Sequence, residues 1–421
     1  MPSFATRWYV ACFCREALPV FPVYALMMTR SGIAPLQLAT LFIVWSGTAA
    51  IAEVPTGVIA DRVERRWLLA AACLLRSAAF LLWLLAPQFW GYLAGFVLWG
   101  IGSSLWSGTA EALLYETLAE RRALHTFPTI YAGGAAAANV GIGTALAVGG
   151  WLATFGFALP LLLSAALPLV TVTLLLKMFG DPPRTVAADG ATSPAQSLQS
   201  PAQSLQSQAQ SQAQSLQSRA QSLRPQTHSL HPLAQALRDF RRSPAIRELA
   251  LIFAAVLVFF GVFDEYVTLL LDARGISLPA IGVTFAACYA LRAVGMAAAG
   301  RLPTLRPLPV LALAGAALLV ALIAGSATAI ATGCLLYFGL NGVAEVRAGT
   351  ELQTTMDGAA RATVTSLTQF GPHITGMAIY LCIGWLATGR DYLMAAWVAG
   401  LGTTLFAGLL WLGSLHRARG P

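Results

Sequence analysis

The chain has 421 residues, of which 57% are hydrophobic and only 10% are charged, whereas an ordinary soluble domain is about 25% charged. This composition excludes a water-soluble globular protein, because too few polar residues are present to cover its surface. The net charge of +8 does not indicate binding to nucleic acid, because the basic residues are scattered between apolar stretches and are not gathered on one domain.

Apolar stretches of about twenty residues recur along the chain, the length that an α-helix needs to cross a hydrocarbon layer of about 30 Å. They are too continuous for β-barrel strands, which alternate apolar and polar residues. The first stretch begins near Trp8, carries Arg15 and Glu16 in its middle and lacks a small-residue cleavage site, so we interpret it as a retained span. The sequence therefore predicts an all-α membrane protein embedded in the lipid bilayer.

Charged, Pro-containing and Gly-containing turns divide the chain into twelve predicted transmembrane spans. The first six lie near residues 8–28, 36–60, 68–86, 89–114, 126–152 and 157–178. The last six lie near residues 247–271, 278–300, 308–327, 329–349, 363–386 and 391–414. An even number of spans places both termini on the same side of the membrane.

The cationic loop residues choose that side, because Lys and Arg near span ends are retained in the cytoplasm. One predicted face carries Arg7, Arg62, Arg65, Arg66, Arg121, Arg122, Lys177, Arg184, Arg241, Arg242, Arg301, Arg306, Arg361, Arg417 and Arg419. The other face carries only Arg30, Arg274 and Arg390. We therefore expect both termini in the cytoplasm. The strong preference for Arg over Lys is typical of GC-rich genomes, so the plasma (inner) membrane of a bacterium is the expected location.

Residues 181–244 form a polar stretch that separates the two groups of six spans. It repeats every seven residues, as in 194–200 and 201–207, and is rich in Gln, Ser, Ala and Pro. One Leu and one Ala per heptad supply too little apolar surface for a coiled coil. We predict a disordered cytoplasmic linker, with a surface helix near Leu233–Phe240 as the alternative. The linker joins an N-terminal bundle, 1–180, to a C-terminal bundle, 245–421.

The loop after the second span carries a motif, Gly57-Val-Ile-Ala-Asp61-Arg62-Val-Glu-Arg65-Arg66. It resembles the signature between helices 2 and 3 of the major facilitator superfamily. The preceding Glu53–Gly57, together with Ser107–Glu116 in span 4 and Arg361–Thr363 at span 11, resembles a bacterial branch that exports drugs or metabolites. The resemblance implies two six-helix bundles around a central cavity, the major facilitator fold, in a protein that works as a monomer.

The sequence also departs from the efflux patterns of that superfamily. Span 4 has Phe96 and Trp99 where the superfamily's proton-antiporter motif has Arg and Gln. Span 5 keeps three glycines of the antiporter signature but has Leu146 in place of its proline. The Gly-rich stretch 141–150 follows no strand and precedes no Gly-Lys-Ser/Thr, so close helix packing explains it better than an ATP site. The resemblance thus favours export by proton exchange over an ATP-driven pump.

We expect a conformational gate at the signature loop, comprising Glu53, Gly57, Asp61, Arg62, Arg65 and Arg66. Gly57 would let two helices approach closely, and Asp61 would accept hydrogen bonds from a helix N-terminus or from an Arg across the interface between the halves. Glu53 lies on nearly the same helix face and is expected to act as a strut of the gate more than as a ligand. The alternative for the arginines is that they only set the topology.

Charged side chains at bilayer depth mark the candidate functional groups, since each costs roughly 2.5–3.5 kcal/mol and must face protein or water. They are Arg15, Glu16, Glu53, Arg76, Glu111, Asp264, Glu265, Arg292, Glu345 and Arg347. In the superfamily, helices 1, 4, 7 and 10 line the cavity, which implies that substrate meets Glu16, Glu111, Asp264 and Glu265.

Arg15 and Glu16 are adjacent, so on a continuous helix they project about 100° apart and cannot satisfy each other well. Each is expected to find a partner on another helix. We expect Glu16 or Glu111 to couple transport to protons, with Arg15 as a counter-charge. The alternative is a static buried ion pair that orders the N-terminal bundle.

Other polar residues within the spans have two interpretations each. Arg76 is expected to be structural and paired with Glu53, and Arg292 to be a similar strut in the second half. Gln369 and His373 lie one turn apart in span 11, where His373 either packs through a hydrogen bond or titrates and contacts substrate.

Asn139 and Asn341 are either hydrogen-bonding groups of the cavity or packing residues between helices. Aromatic residues that can line a cavity for an amphipathic solute, or else face lipid, are Phe42, Trp45, Trp99, Trp106, Tyr131, Phe260, Tyr266 and Tyr337.

All six cysteines fall inside apolar segments, with no spacing typical of metal ligands or of a secreted disulfide framework. The loops carry no plausible nucleophile triad. The sequence therefore predicts no metal, no cofactor, no catalytic residue and no enzyme activity.

These observations together predict a secondary active transporter that exports small amphipathic drugs or metabolites, coupled to protons, by alternating access. The first alternative is an ion-coupled importer of a small solute, since the same fold runs in either direction. The second is a membrane sensor or lipid-handling protein without transport activity. The sequence does not identify the substrate.

Overall fold

The computed structural model describes residues 2–60, 62–179, 243–302, 304–355, 373–387 and 392–418, and every regular element in these ranges is a helix. The first-half helices are α1 (Pro2–Glu16), α2 (Tyr24–Arg30), α3 (Pro35–Ala60), α4 (Arg65–Leu85), α5 (Phe89–Trp106), α6 (Thr109–Glu120), α7 (Phe127–Leu152) and α8 (Ala158–Phe179). The second-half helices are α9 (Pro244–Ala273), α10 (Leu278–Ala299), α11 (Pro307–Ala324), α12 (Ala327–Thr355), α13 (His373–Leu386) and α14 (Leu393–Ala418). Asp61, Gln369 and most of the predicted linker lie outside the described residues.

Nine helices of the described ranges are long and apolar enough to cross a membrane by length and composition. They are α3, α4, α7 to α12 and α14. The prediction of an all-helical membrane protein is therefore confirmed.

Two predicted spans are not continuous helices. Span 1 breaks between α1 and α2, where Pro19 and Pro22 lie, because proline lacks an N–H donor and restricts the residue before it. Span 4 breaks between α5 and α6, where Gly108 adopts φ +69°, a left-handed conformation that residues with a side chain rarely adopt. Both expectations of an uninterrupted span are wrong for the same reason, since hydropathy averages over a local turn.

Contacts among the helix ends and loops define two ends of the molecule. We call the end with residues 62–64, 121–123 and 301–306 the basic end, and the end with residues 31–34 and 274–277 the joined end.

Arginines at the basic end hold α8 in the first half. Arg66 Nη1 donates to the carbonyl oxygen of Phe179 over 2.9 Å, and Arg121 Nη2 donates to that of Met178 over 3.3 Å. The last carbonyls of a helix lack intrahelical partners and carry partial negative charge, so cationic donors suit them.

The two halves pack against each other at the joined end through glycines. A Cβ atom on Gly150 of α7 would lie 3.0 Å from the backbone nitrogen of Gly282 of α10. A Cβ atom on Gly384 of α13 would lie 3.1 Å from the Cα atom of Leu36 of α3. Any larger residue would push the halves apart, so the closure at this end depends on small residues.

The apolar clusters follow the same division. One cluster contains residues of both halves, including Phe42 and Phe263, and reaches the joined end. Two further clusters near the basic end are each confined to one half, one around Leu114 and one around Leu311. The halves therefore share a core at the joined end and keep separate cores at the basic end.

Candidate functional site

A cavity of about 270 Å³ lies between the two halves. The first half contributes Glu16, Phe21, Tyr24, Trp45, Arg76, Trp99, Ser103, Ile142 and Leu146. The second half contributes Asp264, Glu265, Thr268, Phe285 and Tyr289. Tyr24, Trp99 and Phe285 also belong to the shared apolar cluster, which therefore forms one wall of the cavity.

The break in span 1 places charged groups at the end of α1, beside this cavity. Because α1 ends at Glu16, the carbonyl oxygen of Arg15 lacks a helical partner. Arg76 Nη1 of α4 donates to the carbonyl oxygen of Arg15 over 3.0 Å. A Cβ atom on Gly141 of α7 would lie 2.6 Å from the carbonyl oxygen of Phe13, so α7 can pack closely beside the broken segment.

Arg15, Glu16 and Arg76 form a charged cluster at this helix end. Arg15 Nη1 pairs with Glu16 Oε1, and Arg76 Nη1 lies 3.7 Å from the same oxygen. The guanidinium of Arg15 also lies 4.2 Å from the ring centroid of Trp106, within the range of a cation–π contact. Two cations therefore surround one carboxylate.

Two expectations about this cluster are wrong. Adjacent Arg15 and Glu16 do pair with each other, because the chain leaves helical geometry immediately after Glu16 and the spacing of a continuous helix no longer applies. Arg76 pairs with Glu16 and not with Glu53, whose side chain is exposed. Arg76 itself is only 8% exposed.

The wall contributed by the second half is acidic. Tyr289 of α10 donates its hydroxyl to Asp264 Oδ2 over 2.8 Å, while the buried Asp264 Oδ1 has no hydrogen-bond partner in the described part of the chain. Within the same ranges, no side chain makes a hydrogen bond or ion pair with Glu265. α9 therefore brings two carboxylates to the cavity with a single hydroxyl donor between them.

A separate ion pair lies further along α10. Arg292 Nη2 pairs with Glu345 Oε2 of α12, and its guanidinium lies 3.9 Å from the ring centroid of Phe260. Arg292 thus joins α10 to α12 as a strut. Arg347 lies near the basic end and donates to the carbonyl oxygen of Leu305 over 2.8 Å.

Glu111 lies apart from the cavity, in the first turn of α6. It is exposed, and the Tyr131 hydroxyl donates to its Oε1 over 2.6 Å. Tyr131 and Asn139 lie on α7 in register with the cavity residues Ile142 and Leu146, so one stripe of α7 leads from the cavity toward the basic end. The structure therefore separates Glu111 from Glu16, two groups that we expected to be equivalent candidates.

Asn139, Asn341 and His373 are not among the residues that line the cavity. Asn139 is exposed and donates to Ala135 of its own helix over 2.9 Å. Asn341 is buried and donates to the carbonyl oxygen of Val256 over 3.4 Å. His373 Nδ1 lies 3.1 Å from Ser46 Oγ, which links α13 to α3 across the halves.

The described residues of the predicted gate lie at the basic end. Arg65 pairs with Glu116, and Arg66 Nη2 lies 2.6 Å from Glu64 Oε2, so both are engaged within the first half. Arg62 is exposed. Nothing lies within 4 Å of a Cβ atom on Gly57, so the expected close helix approach at Gly57 is not present in this conformation.

The aromatic residues that we singled out divide among several environments. Trp45 and Trp99 line the cavity. Phe42, Tyr266 and Tyr337 are buried in the shared core. Tyr289 was not among the predicted cavity residues, although it lies three residues before Arg292 and hence on the same face of α10, a spacing that could have indicated a polar face.

Comparisons with known proteins agree with this architecture. The profile of the Major Facilitator Superfamily matches residues 9–378, and a search of curated proteins finds no match. The nucleoside transporter NupG superposes with a TM-score of 0.71 at 12% identity, covering 97% of this chain and 98% of that one. A D-xylose-proton symporter superposes with a TM-score of 0.64 at 14% identity, covering 97% of this chain and 96% of that one.

A bacterial homolog of the human lysosomal transporter Spinster, in an inward-facing and unoccupied conformation, superposes with a TM-score of 0.68 at 14% identity, covering 97% of this chain and 94% of that one. At such low identity the structural likeness shows the fold alone. The family profile, however, spans most of the sequence. The chain therefore belongs to the major facilitator superfamily, whose members are transporters and not enzymes.

Proposed function

We propose that this protein is a proton-coupled secondary transporter that exports small amphipathic drugs or metabolites by alternating access. The observation that carries the proposal is the cavity between the halves, with charged walls contributed by both. A solute in that cavity contacts both halves, so it can bias their relative position through differential binding.

The topology that we propose has twelve spans in two six-helix bundles. The nine long apolar helices count as nine spans, the broken pairs α1–α2 and α5–α6 as two more, and the shorter α13 as the twelfth. Both termini then lie at the basic end, and retention of cationic residues in the cytoplasm places that end inside the cell. The protein is a monomer in the bacterial plasma membrane, with residues 181–244 as a cytoplasmic linker.

In this topology the described conformation is closed to the outside. The shared core and the contacts between Gly150 and Gly282 lie at the outer end, and the separate cores lie at the cytoplasmic end. Alternating access then requires the outer contacts to open while the signature loop, with Asp61, closes the cytoplasmic end.

We propose that Asp264 and Glu265 are the principal proton-coupling groups. An unpaired carboxylate at bilayer depth is costly, so Glu265 gains by binding either a proton or a cationic group. Glu16 gains less, because Arg15 and Arg76 already neutralise it. Proton and substrate then compete for the same carboxylates, which is the physical basis of exchange. Glu16 and Glu111 remain the alternative coupling groups.

A second candidate function is ion-coupled import of a small solute. It is favoured by the structural likeness to a nucleoside transporter and to a proton symporter for D-xylose, since the fold accommodates both directions. A sensor or lipid-handling protein without transport activity is a weaker alternative, because the unpaired polar groups of the cavity are costly without a solute to contact them.

The test is solute-driven proton movement in proteoliposomes that contain a trapped pH dye. A panel of cationic, neutral and anionic amphiphiles is added to the wild type and to Glu265→Gln, Glu16→Gln and Glu111→Gln variants. We expect at least one compound to dissipate an imposed pH gradient, and Glu265→Gln to abolish the response. Glu120→Gln, which removes an exposed carboxylate at the end of α6, is the matched control.

Three other results are informative. If labelled solute crosses without proton movement, coupling to protons is wrong. If Glu265→Gln retains coupling and Glu16→Gln or Glu111→Gln loses it, the coupling group is one of the alternatives. If solute accumulates in the compartment into which protons also flow, solute and protons move in the same direction and the protein is an importer.

A further inference from the structure

The two walls of the cavity carry opposite net charge. On the first-half wall, Arg76 and Glu16 line the cavity, and Arg15 pairs with Glu16 from outside the lining, so this charged cluster has two guanidinium groups and one carboxylate. The second-half wall has the carboxylates of Asp264 and Glu265. The closest arginine along α10, Arg292, is engaged by Glu345 and does not neutralise them through an ion pair. A solute in the cavity therefore meets a positive side and a negative side.

The buried donors and acceptors without a hydrogen-bond partner are also divided between the two walls. Trp45 Nε1 and Arg76 Nε, both donors of the first half, are buried without a partner in the described part of the chain. Asp264 Oδ1, an acceptor of the second half, is also buried without a partner. All three side chains line the cavity. Buried polar groups are nearly always paired, so one wall carries unsatisfied donors and the other wall carries an unsatisfied acceptor.

The size and the apolar lining restrict the solute further. The volume of about 270 Å³ corresponds to roughly nine water molecules at about 30 Å³ each. It lies slightly below the range of drug-sized pockets, which occupy roughly 300–1,000 Å³. Phe21 and Trp99 stack with ring centroids 5.8 Å apart at the first-half wall, and Phe285 and Tyr289 lie opposite. A compact solute with an apolar or aromatic middle fits this lining.

We propose that the substrate is a small amphipathic zwitterion that spans the cavity, with its anionic group at Arg76 and Trp45 and its cationic group at Asp264 and Glu265. This inference rests on the proposed transport function and specifies its substrate class. Each end of the zwitterion fills groups that are otherwise unpaired, and its two charges match the two walls. A solute with one charge satisfies only one wall.

The first experiment compares probes that share a side chain and differ in charge. Calorimetric titration of the purified full-length protein uses L-phenylalanine, L-phenylalanine amide and N-acetyl-L-phenylalanine, which are a zwitterion, a cation and an anion. The same three forms of L-leucine and L-tryptophan extend the range of sizes. We expect the zwitterion to bind about tenfold more tightly than either singly charged form in at least one series, since each end makes a charge-assisted hydrogen bond.

Two results overturn the proposal. One is that the cation binds as tightly as its zwitterion in every series, which means that the first-half wall does not bind the anionic group. The other is the absence of binding by all nine probes, which means that the unfilled groups are hydrated and select no zwitterion.

Variants on the two walls test the orientation. Asp264→Asn and Glu265→Gln should weaken binding of the zwitterion and the amide and leave the N-acetyl form unchanged. Arg76→Gln should weaken binding of the zwitterion and the N-acetyl form and leave the amide unchanged. The opposite assignment of losses overturns the orientation. Arg301→Gln, at an exposed residue of the basic end, is the matched cationic control.

Trp45→Phe provides a second variant on the first-half wall, because Arg76 also contacts the end of α1 and its loss can unfold the protein. The substitution keeps an aromatic ring and removes only the indole N–H donor. We expect it to weaken the zwitterion and the N-acetyl form selectively, by less than Arg76→Gln does.

Binding and transport can fail independently. If a zwitterion binds but is not transported and moves no protons in proteoliposomes, the inference about the substrate site stands and the transport proposal is wrong. A different solute that drives proton movement while no zwitterion binds leaves transport in place and removes the inference.

Discussion

The two halves of the molecule carry their buried charges on different kinds of backbone. In the first half, spans 1 and 4 are broken, so Arg15 and Glu16 lie at a helix end. In the second half, α9 and α12 run without interruption for 30 and 29 residues. Asp264 and Glu265 consequently lie inside a continuous helix.

This difference shows two ways to accommodate charge at bilayer depth. At the broken end of α1, a free backbone carbonyl and a carboxylate together hold Arg76. In continuous α9 the backbone satisfies itself, so only side chains such as Tyr289 are left to serve Asp264. The first half therefore presents a fixed charged wall, and the second half presents carboxylates that remain available for binding.

The largest expected effect comes from removing the arginine that pairs with a carboxylate inside each half, Arg76 in the first half and Arg292 in the second. Arg76→Gln and Arg292→Gln should each cost about 3–5 kcal/mol of stability, because the first removes the buried cation that contacts both Glu16 and the carbonyl of Arg15, and the second leaves Glu345 without its partner. The double variant Arg292→Gln/Glu345→Gln should recover most of the loss. Arg76→Gln/Glu16→Gln should not, because the carbonyl of Arg15 still lacks its donor. Thermal unfolding in detergent measures all four variants.

Equal recovery in the two double variants would contradict the comparison between the halves. It would mean that Arg76, like Arg292, acts only through its carboxylate partner, and that the helix end contributes nothing.

The next effect tests whether the broken segment must pack closely. A Cβ atom on Gly149 of α7 would collide with the carbonyl oxygen of Pro19 and lie 2.6 Å from Pro22 Cγ. Gly149→Leu should therefore cost about 1–3 kcal/mol, the usual cost of overpacking, and lower the unfolding temperature. Gly143→Leu is the matched control on the same helix, because nothing lies within 4 Å of its Cβ position. A similar loss in both variants would reflect helix propensity or lipid contact and not the break.

Hydropathy could predict most span positions, because the membrane thickness sets the length of each apolar run. The span predicted near 278–300 is α10 (Leu278–Ala299), for example. The breaks were missed because they leave the mean hydropathy unchanged. The local signals were nevertheless present, in Pro19 and Pro22 for span 1 and in Gly108 for span 4.

Charge at bilayer depth could identify part of the cavity, since Glu16, Asp264 and Glu265 all line it. The partners of these groups could not be predicted. The pairing of Arg76 with Glu16 depends on the rotation and depth of two separate helices, which a single sequence does not specify. The hydroxyl of Tyr289 was missed for the same reason.

The smallest expected effect concerns an ion pair between α2, in the broken span 1, and the continuous helix α9. Arg30 Nη2 on short α2 lies 2.7 Å from Asp272 Oδ1 on continuous α9, and the two side chains are 45% and 33% exposed. Exposed pairs contribute roughly 0–1 kcal/mol. Arg30→Ala should therefore shift the joined end only slightly toward an open conformation. Distances between spin labels at Gln88 and Ser326, in a background with the native cysteines replaced, measure the shift.

A charge reversal separates the ion pair from the packing around it. Arg30→Asp/Asp272→Arg should restore the wild-type distance distribution, and raising the salt concentration should reproduce the effect of Arg30→Ala in the wild type, because exposed charges are screened. If Arg30→Ala opens the joined end in most molecules, the ion pair holds the halves together more strongly than the glycine contacts. α2 would then be held in place across the interface, and the break in span 1 would depend on the second half for its conformation.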